Sequence, residues 1–427
     1  MSEKGPCLQR RRFLQTAAQL GAAWMTPHVV CAAVRGKESS VPPSERIVMG
    51  AIGIGGRGSY DLGCMLHETD VQFVAVADVR AERREAAKRM IDSRYGNKDC
   101  VTYRDFRDLL GRSDIDGVLI ATGPNWHGLL SILAAKSGKD IYCEKPCTRN
   151  ITQSLELAAT IRRTGRVFQG GMQRRNLPGF VFAIELARRG KLGKLKTLHA
   201  HPAGLSVSMS GWGRPDPEPA KDVLDWDLLL GPAAWRPYHK GFLNSFHFEK
   251  GGGLLGGGVL EWGSHCVDLC QWANDADHTV PVEYNPPADG KVIARYANGV
   301  KLVIRNDGWL NLGSCPVRFE GETGWVETGD SGDLVASPPS LLAGRGAKVE
   351  GYPANSHIRE FFNCVKTRGQ PRANAEVSCN THIACHATNI AIFLGRKVLY
   401  DPHKHEFIGD AEANRLRSEA LREPWRY

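Results

Sequence analysis

The pattern of apolar and polar positions changes character near Gly171. Before that point, short apolar runs alternate with amphipathic stretches, which is the rhythm of strands and helices in a parallel β-α-β sheet. The strand-like runs begin at Ile47, Val71, Val118, Ile141 and Val167, and the helix-like stretches cover residues 59–67, 81–92, 106–110, 126–136 and 152–163. The first part of the chain is therefore predicted to form a parallel α/β domain.

Past Gly171, loops rich in proline and glycine separate short strand-like runs that follow one another with tight turns, which predicts an antiparallel sheet. These runs cover residues 194–200, 290–296, 301–306, 317–320 and 324–328, and helices are predicted over residues 357–366 and 376–394. The fold class is therefore α/β. A second domain, with helices and a mainly antiparallel sheet, is predicted over residues 172–427.

The beginning of the chain differs from the rest. An arginine triplet at residues 10–12 precedes Phe13 and Leu14 in a twin-arginine pattern, and an alanine-rich stretch then ends in a small-residue cleavage pattern. We predict a twin-arginine signal peptide over residues 1–33, a linker over residues 34–45, and a periplasmic or secreted protein. The twin-arginine translocation machinery, which carries folded proteins, is thus an expected partner. The stretch is too short and too polar for stable membrane insertion, and a disordered basic tail is the alternative.

Composition and charge exclude several classes of protein. The 427 residues are 42% hydrophobic and 24% charged, which suits a globular chain with room for two domains. The formal net charge is +9, but the basic residues are interspersed with acidic ones, so no nucleic-acid partner is predicted. The 12 cysteines form no C-x-x-C motif, and no histidine pair has a third ligand at metal-site spacing, so no metal is predicted. Whether any cysteines pair stays open.

A glycine-rich turn follows the first strand-like run. Gly53, Gly55 and Gly58 have the G-x-G-x-x-G spacing of a dinucleotide-binding turn, with Gly56 and Arg57 inside it. In such a turn the glycines allow a tight bend, close approach of the backbone to a pyrophosphate, and close packing of the following helix. These five residues are therefore predicted to bind a cofactor.

The second strand-like run ends in Asp78, about 20 residues beyond the glycine turn. A carboxylate at this point can accept both hydroxyl groups of an adenosine ribose and would repel a 2′-phosphate. The expected cofactor is therefore NAD, with NADP disfavoured even though Arg80 lies close enough to compete for such a phosphate. A glycine turn in another kind of α/β sheet is the alternative. Together, turn and acidic residue predict a Rossmann domain over residues 46–171.

Polar residues also follow the run at Val118, at the edge where parallel sheets bind their ligands. The run leads into A-T-G-P-N-W-H. Thr122, Pro124, Asn125 and His127 are therefore expected to wall a nicotinamide pocket, with an ordinary capped loop as the alternative.

The run at Ile141 leads into Glu144, Lys145 and Pro146 at the same edge. A carboxylate and an ammonium side by side in a cofactor cleft form a pair whose lysine can donate a hydrogen bond to a substrate oxygen or pass a proton. Pro146 fixes the backbone after the lysine, and a cis bond there would aim the side chain. A surface ion pair is the alternative.

A further polar cluster is predicted on a helix in the second domain, within G-G-G-V-L-E-W-G-S-H-C-V-D-L-C-Q-W from Gly256. Glu261, His265 and Asp268 are spaced i, i+4 and i+7, so they form one polar stripe among apolar positions. Burying two carboxylates and an imidazole is costly unless each is paired, so the stripe is expected to face a polar cleft. A solvated helix face is the alternative, against which the flanking tryptophans argue.

The glycine turn, E-K-P and the acid-x-x-x-His helix together resemble the Gfo/Idh/MocA family of oxidoreductases, over nearly the whole chain after the predicted signal peptide. W-D-L-L-L-G-P-A-A-W-R-P-Y from Trp226 and N-I-A-I-F-L-G-R-K-V-L-Y-D-P from Asn389 are similar to its twin-arginine-tagged members. The resemblance implies a Rossmann domain followed by an α/β domain whose open sheet makes an oligomer interface, in a dimer or a tetramer.

The resemblance also implies catalytic roles. Lys145 matches the lysine of E-K-P, and His265 matches the histidine that accepts the proton of a substrate hydroxyl. Glu261 stands where many members have aspartate, so its carboxylate is one methylene longer, and it is expected to orient His265. Asp268 matches an acidic position on the same helix. The substrate-binding candidates are Asp268 and, on loops, Arg174, Arg175, Trp235, Tyr238 and His247.

The activity implied by the resemblance is hydride transfer between a nicotinamide cofactor and a sugar, polyol or sugar derivative. His265 would remove the hydroxyl proton, and Lys145 would steady the charge on the oxygen. One alternative is a redox-neutral NAD-dependent glycosidase, which oxidises a ring carbon, eliminates the aglycone and restores the hydrogen. Another is a non-catalytic carbohydrate-binding relative. Export away from free NAD would favour a tightly bound cofactor that is recycled in place.

Overall fold

The first sheet of the fold has six parallel strands with helices on both faces. The strands are β1 (Ile47–Ile52), β2 (Val71–Ala77), β3 (Val101–Tyr103), β4 (Gly117–Ile120), β5 (Asp140–Cys143) and β6 (Phe168–Gly170). The helices that connect them are α1 (Gly56–Met65), α2 (Ala81–Tyr95), α3 (Phe106–Leu110), α4 (Pro124–Lys136) and α5 (Ile151–Thr164). The strand order is β3-β2-β1-β4-β5-β6, which confirms the predicted Rossmann sheet.

This computed structural model describes residues 41–202, 215–243, 258–343 and 355–427. The predicted signal peptide, most of the linker and the candidate His247 lie outside the described residues. Two details of the first sheet differ from the sequence prediction. Strand β3 has only three residues and gives no recognisable run, and helix α1 begins at Gly56 rather than at Ser59, because the glycine turn itself supplies the first turn of the helix.

A second sheet has nine strands. They are β7 (Leu195–Ala200), β8 (Glu283–Tyr284), β9 (Lys291–Arg295), β10 (Lys301–Arg305), β11 (Val317–Gly321), β12 (Trp325–Thr328), β13 (Leu334–Ser337), β14 (Val398–Asp401) and β15 (Glu406–Phe407). Their order is β13-β12-β11-β7-β10-β9-β8-β14-β15, and all neighbours are antiparallel except β7 and β10. The prediction of a mainly antiparallel sheet is confirmed, although the short strands β8, β13, β14 and β15 were not predicted.

Helices cover one face of the second sheet. Within the described ranges, the helices not yet named are α6 (Pro178–Arg188), α7 (Trp226–Leu230), α8 (Gly258–Ala273), α9 (Asn355–Thr367), α10 (Ala375–Leu394) and α11 (Ala411–Arg415). Three of them, α6, α8 and α10, cover the second sheet. Apolar side chains of α6, α8 and α10 form one core with the inward side chains of the strands. Strand β9 shows the two faces: Val292 and Ala294 are buried, whereas Lys291 and Ile293 are exposed. No helix in the described ranges is both long and apolar enough to cross a membrane.

Residues from late in the chain complete the core of the first sheet. Helix α9 places Ile358, Phe361 and Phe362 in the same buried cluster as Met49 and Phe73. Both sheets accordingly lie in one compact unit, Ile47–Tyr427. The described residues before this unit contain a 3-10 turn, Pro43–Glu45.

A segment between β7 and β8 returns to the ligand-binding edge of the first sheet. The backbone N–H of Ala81 donates to the carbonyl of Val223 at 3.0 Å, and that of Asp225 donates to the carbonyl of Val79 at 3.1 Å. The indole of Trp126 donates to the carbonyl of Leu228 at 2.9 Å. The segment around α7 thereby forms a wall opposite the glycine turn.

Candidate active site

A cleft of about 630 Å³ lies at the C-terminal ends of strands β1, β2, β4 and β5. A cleft of this size is typical of a small-molecule or cofactor site. It gathers most of the predicted cofactor residues with three residues predicted for catalysis or substrate binding: Gly53, Gly55, Gly56, Arg57, Asp78, Thr122, Pro124, Asn125, His127, Glu144 and Lys145, together with Arg174, Glu261 and His265. The topology thus brings together side chains that are more than 200 residues apart.

The glycine turn has the geometry that close approach of a ligand requires. Gly53 has a φ of 74°, and a Cβ there would lie 2.6 Å from the Cα of Thr122. Gly58 does not line the cleft; a Cβ on it would lie 2.9 Å from the carbonyl oxygen of Gly53, so it lets α1 pack against the turn. A Cβ on Gly56 would meet no atom within 4 Å. The N-terminus of α1 is therefore open to a pyrophosphate.

Asp78 closes the adenosine end of the cleft and is almost fully buried. Its carboxylate accepts the backbone N–H of Ile54 at 2.8 Å and that of Arg80 at 2.9 Å. Burial raises the pKa of Asp78, while these two hydrogen bonds oppose the shift. Because each carboxylate oxygen has a second lone pair, Asp78 can still accept ribose hydroxyls.

Three arginines also line the adenosine end: Arg80, which the sequence placed near the ribose, and Arg83 and Arg104, which it did not single out. Arg80 forms an ion pair with Glu82. The guanidinium of Arg83 lies against the turn, where a Cβ on Gly55 would come within 2.9 Å of it. Burial and the charge of Arg80 lower the pKa of Arg83. The donors and the open turn fit a dinucleotide, whose pyrophosphate would lie at the start of α1 and whose ribose would lie at Asp78.

Asn125 and His127 shape the wall of the cleft through hydrogen bonds inside the protein. The amide of Asn125 donates to the carbonyls of Leu229 and Leu230 at 3.0 and 2.9 Å. The two ring nitrogens of His127 lie 2.8 and 3.0 Å from the carbonyl oxygens of Pro146 and Thr122. Asn125 therefore ties the start of α4 to the end of α7, and His127 holds the loops after β4 and β5 in place. The peptide before Pro146 is cis.

The predicted pairing of Glu144 with the ammonium of Lys145 is wrong. Glu144 is buried and accepts from Arg57 Nε at 3.1 Å, from Gln173 Nε2 at 2.8 Å and from the backbone N–H of Lys145 at 3.1 Å. Room for its carboxylate exists because Gly171 has no side chain. The carboxylate thus anchors the glycine turn to the C-terminal edge of the sheet, and the side chain of Lys145 makes its contact elsewhere.

Asp61 is a buried acid that sequence reasoning missed. It lies one turn into α1 and forms an ion pair with Arg57 at 2.8 Å, next to Glu144. Burial and the nearby charge of Glu144 raise the pKa of Asp61. The i, i+4 spacing from Arg57 was the available sequence signal.

The ammonium of Lys145 approaches the helix that carries His265. Its Nζ lies 3.9 Å from Oε1 of Glu261 on α8, with both side chains partly exposed to the cleft. The prediction that Glu261 orients His265 is wrong, because the structure directs this carboxylate to the lysine.

His265 is held by an arginine instead. Nη1 of Arg174 lies 3.1 Å from Nε2 of the buried imidazole, and the same guanidinium contacts both carboxylate oxygens of Asp330, at 3.0 and 2.6 Å. Nδ1 of His265 is buried without a hydrogen-bond partner in the described part of the chain. Burial lowers the pKa of His265 well below its usual value, and the charges of Arg174 and Lys145 add to the shift. This lowered pKa favours the neutral imidazole, which is the form that can accept a proton.

Several substrate-binding predictions are not supported by the structure. Asp268 is fully buried outside the cleft, where Arg175 holds its carboxylate at 2.7 Å. Tyr238 packs in a separate apolar cluster against Trp226, at 5.2 Å between ring centroids. Trp235 is mostly exposed and does not line the cleft. Among the substrate-binding candidates that the structure describes, only Arg174 lines the cleft. Its neighbour Arg175 does not, because consecutive residues of the 3-10 turn Gln173–Asn176 point in different directions.

The remaining titratable side chains suggest no metal centre. Among the residues that the structure describes, no group of three or more His, Cys, Asp or Glu side chains is placed to hold a metal ion. His382, one of the histidines considered from the sequence, accepts the backbone N–H of Cys147 at 2.9 Å.

The contact with Arg174 leads to a prediction about His265. We expect Arg174→Gln to raise the midpoint of its titration by about one pH unit, because removing a nearby positive charge makes the imidazolium less unfavourable. NMR titration of the imidazole, identified through a His265→Gln spectrum, measures the midpoint. Arg174→Lys keeps the charge and should leave the midpoint nearer to that of the wild type. Equal midpoints in all three proteins would show that the charge of Arg174 does not contribute to the pKa of His265.

The first sheet is parallel and carries a G-x-G-x-x-G turn, and the second α/β layer supplies a histidine with a lowered pKa to the same cleft. These features define an oxidoreductase of the Rossmann class. The family model "Oxidoreductase family, NAD-binding Rossmann fold" matches residues 47–172, and "Oxidoreductase family, C-terminal alpha/beta domain" matches residues 203–427. The chain belongs to the Gfo/Idh/MocA oxidoreductase family, and its first domain is an NAD(P)-binding Rossmann domain.

Relatives and solved structures agree with this assignment. A glycosyl hydrolase family 109 protein from Shewanella pealeana is 27% identical over 213 residues, which are 46% of this chain and 46% of the relative. The chain spans less than half the length of the first curated relatives it matches. Myo-inositol 2-dehydrogenase from Lactobacillus plantarum is similar in fold, with a TM-score of 0.59 at 17% identity, over 83% of this chain and 100% of that one. Aldose-aldose oxidoreductase from Caulobacter crescentus gives 0.58 at 19% identity, over 83% and 99%.

Proposed function

We propose that this protein transfers a hydride between a nicotinamide dinucleotide and a hydroxyl-bearing carbon of a sugar, a polyol or a sugar derivative. One observation carries the proposal: Lys145, Glu261 and His265 line the same cleft as the glycine turn and Asp78. Lys145 follows a strand of the first sheet, whereas Glu261 and His265 lie on α8, which packs against the second sheet. A protein that only binds carbohydrate has no need of a lysine and a neutral buried histidine beside a cofactor site.

The chain's own residues would have distinct roles in this reaction. When bound, the dinucleotide supplies a hydride acceptor or donor at its nicotinamide ring. His265 would take the proton of the substrate hydroxyl, and the ammonium of Lys145 would stabilise the negative charge that develops on the oxygen. Glu261 would hold Lys145 in position. Arg174, which occupies Nε2 of His265, would turn to a substrate oxygen as the histidine takes up the proton.

We expect NAD to bind at least about tenfold more tightly than NADP, because a 2′-phosphate beside the Asp78 carboxylate brings two negative charges together. The pairing of Arg80 with Glu82 limits the attraction that this arginine offers to a phosphate. Dissociation constants of both dinucleotides, measured with protein freed of endogenous cofactor, check the preference. Arg80→Ala should weaken NADP binding further and leave NAD binding nearly unchanged. NADP binding as tight as NAD binding would contradict this expectation.

A second candidate is a redox-neutral glycosidase of the same fold, which the similarity to a glycosyl hydrolase family 109 protein favours. Both candidates would use a bound NAD in a closed cycle when the protein works outside the cytoplasm. The predicted twin-arginine signal peptide supports such a location, because this pathway exports proteins after folding.

A dimer or tetramer, formed through the open face of the nine-stranded sheet, completes the proposal.

One experiment separates the candidates. Mass spectrometry of the purified protein identifies any dinucleotide that it carries. The same protein is then incubated without added cofactor with a panel of sugars and glycosides, while products and nicotinamide absorbance are followed. Many turnovers with a free aglycone indicate the glycosidase, and many turnovers with one sugar oxidised and another reduced indicate a closed oxidoreductase. Strict dependence on added NAD, with one NADH per product, indicates a freely exchanging dehydrogenase. No product under any condition would overturn the enzymatic proposal.

A further inference from the structure

Two buried thiols meet next to His265. Cys266 lies on α8, and Cys315 lies in the connection between β10 and β11. Their Sγ atoms are 3.1 Å apart, and both residues are at most 1% exposed. A disulfide bond has an S–S distance of about 2.05 Å, so the two sulfurs need to approach by only about 1 Å to bond.

The backbone of Cys315 directs its thiol at Cys266. Cys315 has a φ of 56°, in the left-handed region that residues other than glycine seldom occupy, and such a conformation persists only where its surroundings hold it. The surroundings do so here, because the backbone N–H of Asp330 donates to the carbonyl of Ser314 at 2.9 Å. The hydroxyl of Ser314 also donates to Asp330 Oδ2 at 2.7 Å. The loop that carries Cys315 is therefore fixed through the contacts between Ser314 and Asp330.

These contacts form a ring that includes the proposed base. Ser314 holds Asp330, Asp330 holds Arg174, and Arg174 donates to His265, which precedes Cys266 in the chain. From Cys266 the ring closes through the thiol contact to Cys315. Except for that contact, every link in the ring is a hydrogen bond, an ion pair or the chain itself.

We propose that Cys266 and Cys315 form a reversible disulfide that closes this ring covalently. The oxidant is a small-molecule disulfide of the glutathione class. One cysteine thiolate attacks it, a mixed disulfide forms and the first small thiol leaves with a proton. The second cysteine thiolate then attacks the cysteine sulfur of the mixed disulfide and releases the second thiol. Two cysteines lose two electrons together, and one small disulfide is reduced to two thiols.

Burial governs the rate of this exchange. It raises the pKa of the Cys315 thiol, and the neighbouring Cys266 adds to the shift. The thiolate of Cys315 is therefore disfavoured in the closed structure, and we expect the exchange to require local opening of the loop. Cys270, one turn further along α8, is a matched control because it is equally buried and its sulfur donates to the carbonyl of His199 on β7, at 3.6 Å. A cross-link from Cys315 to Cys270 in place of Cys266 would overturn the proposed pairing.

The test uses the full chain after removal of the predicted signal peptide. The protein is equilibrated in buffers of oxidised and reduced glutathione, quenched in acid, unfolded and alkylated. Intact mass should show two fewer alkyl groups in the oxidising buffer, and the reductant should restore them. Cys266→Ala and Cys315→Ala should each abolish the difference, whereas Cys270→Ala should retain it. Peptide mapping of the wild-type protein should find Cys266 linked to Cys315, which decides the matter even where a variant does not fold.

Full alkylation of both cysteines in the oxidising buffer, or a cross-link between Cys143 and Cys147 instead, would overturn the pairing. The oxidised protein should also melt higher, by on the order of 5 °C, because the bond closes a long loop in the unfolded chain. Any effect of the disulfide on turnover would act through Arg174 and His265, so that effect rests on the proposed function. Alkylation does not depend on activity, so failure of the pairing and failure of the proposed function give different results.

Discussion

Lys145→Ala and His265→Ala are each expected to reduce turnover at least 100-fold, because general acid-base help and stabilisation of an oxyanion are commonly worth on the order of 10² to 10⁴ in rate. Binding of the dinucleotide should change by no more than about threefold. Neither side chain is placed at the pyrophosphate, which the start of α1 would hold. Turnover on the best substrate of the panel, and cofactor dissociation constants, provide the two measurements.

Controls for these variants come from the same residue types outside the cleft. His278 is exposed and pairs with Glu376, and Lys221 is exposed beside Asp225. His278→Ala and Lys221→Ala should keep turnover close to that of the wild type. Retention of more than about a tenth of wild-type turnover in Lys145→Ala or His265→Ala would contradict a direct role for that residue. A parallel loss of cofactor binding would point to a structural effect instead.

The fold could be predicted where the signal lies within a few neighbouring residues. The glycine turn and E-K-P each follow a buried strand, and parallel strands place their C-terminal ends at one edge, so the position of the cleft followed from local patterns. Strand β3 and the strands around Tyr284 and Phe407 were missed because two or three residues show no period. They are strands because their neighbours offer hydrogen bonds, which is tertiary information.

The site shows a similar division. That His265 and Lys145 reach one cleft could be predicted through the resemblance, but their partners could not. The sequence places Glu261 one turn before His265, which favours a contact between the two, yet the carboxylate turns to Lys145. The partner of His265 comes from a 3-10 turn 91 residues earlier. Spacing within one helix identifies which side chains share a face, but it does not tell which of them finds a better partner elsewhere.

Arg175→Met is expected to reduce the free energy of unfolding by about 3 to 5 kcal/mol, because it leaves a buried carboxylate without its counter-ion. Arg175 is almost completely buried and contacts two acids, Asp268 and Asp277, each at 2.7 Å. Its guanidinium also lies 5.0 Å from the ring of Trp272. This cluster joins the 3-10 turn to α8, so its loss should also loosen the neighbouring Arg174. Chemical unfolding of the variant and the wild type, both without cofactor, measures the difference.

The pH dependence of this loss distinguishes a lone buried charge from a simple packing defect. Burial raises the pKa of Asp268 and Arg175 opposes that shift, so the carboxyl in the variant would have a folded-state pKa above its unfolded value. A raised pKa favours the folded state at low pH, and the destabilisation should therefore shrink between about pH 8 and about pH 5. The exposed pair of Arg188 and Asp275 provides the control, because Arg188→Met should cost about 1 kcal/mol or less at either pH. A loss at Arg175 that is equally large at both pH values would mean that packing, and not charge, makes this arginine necessary.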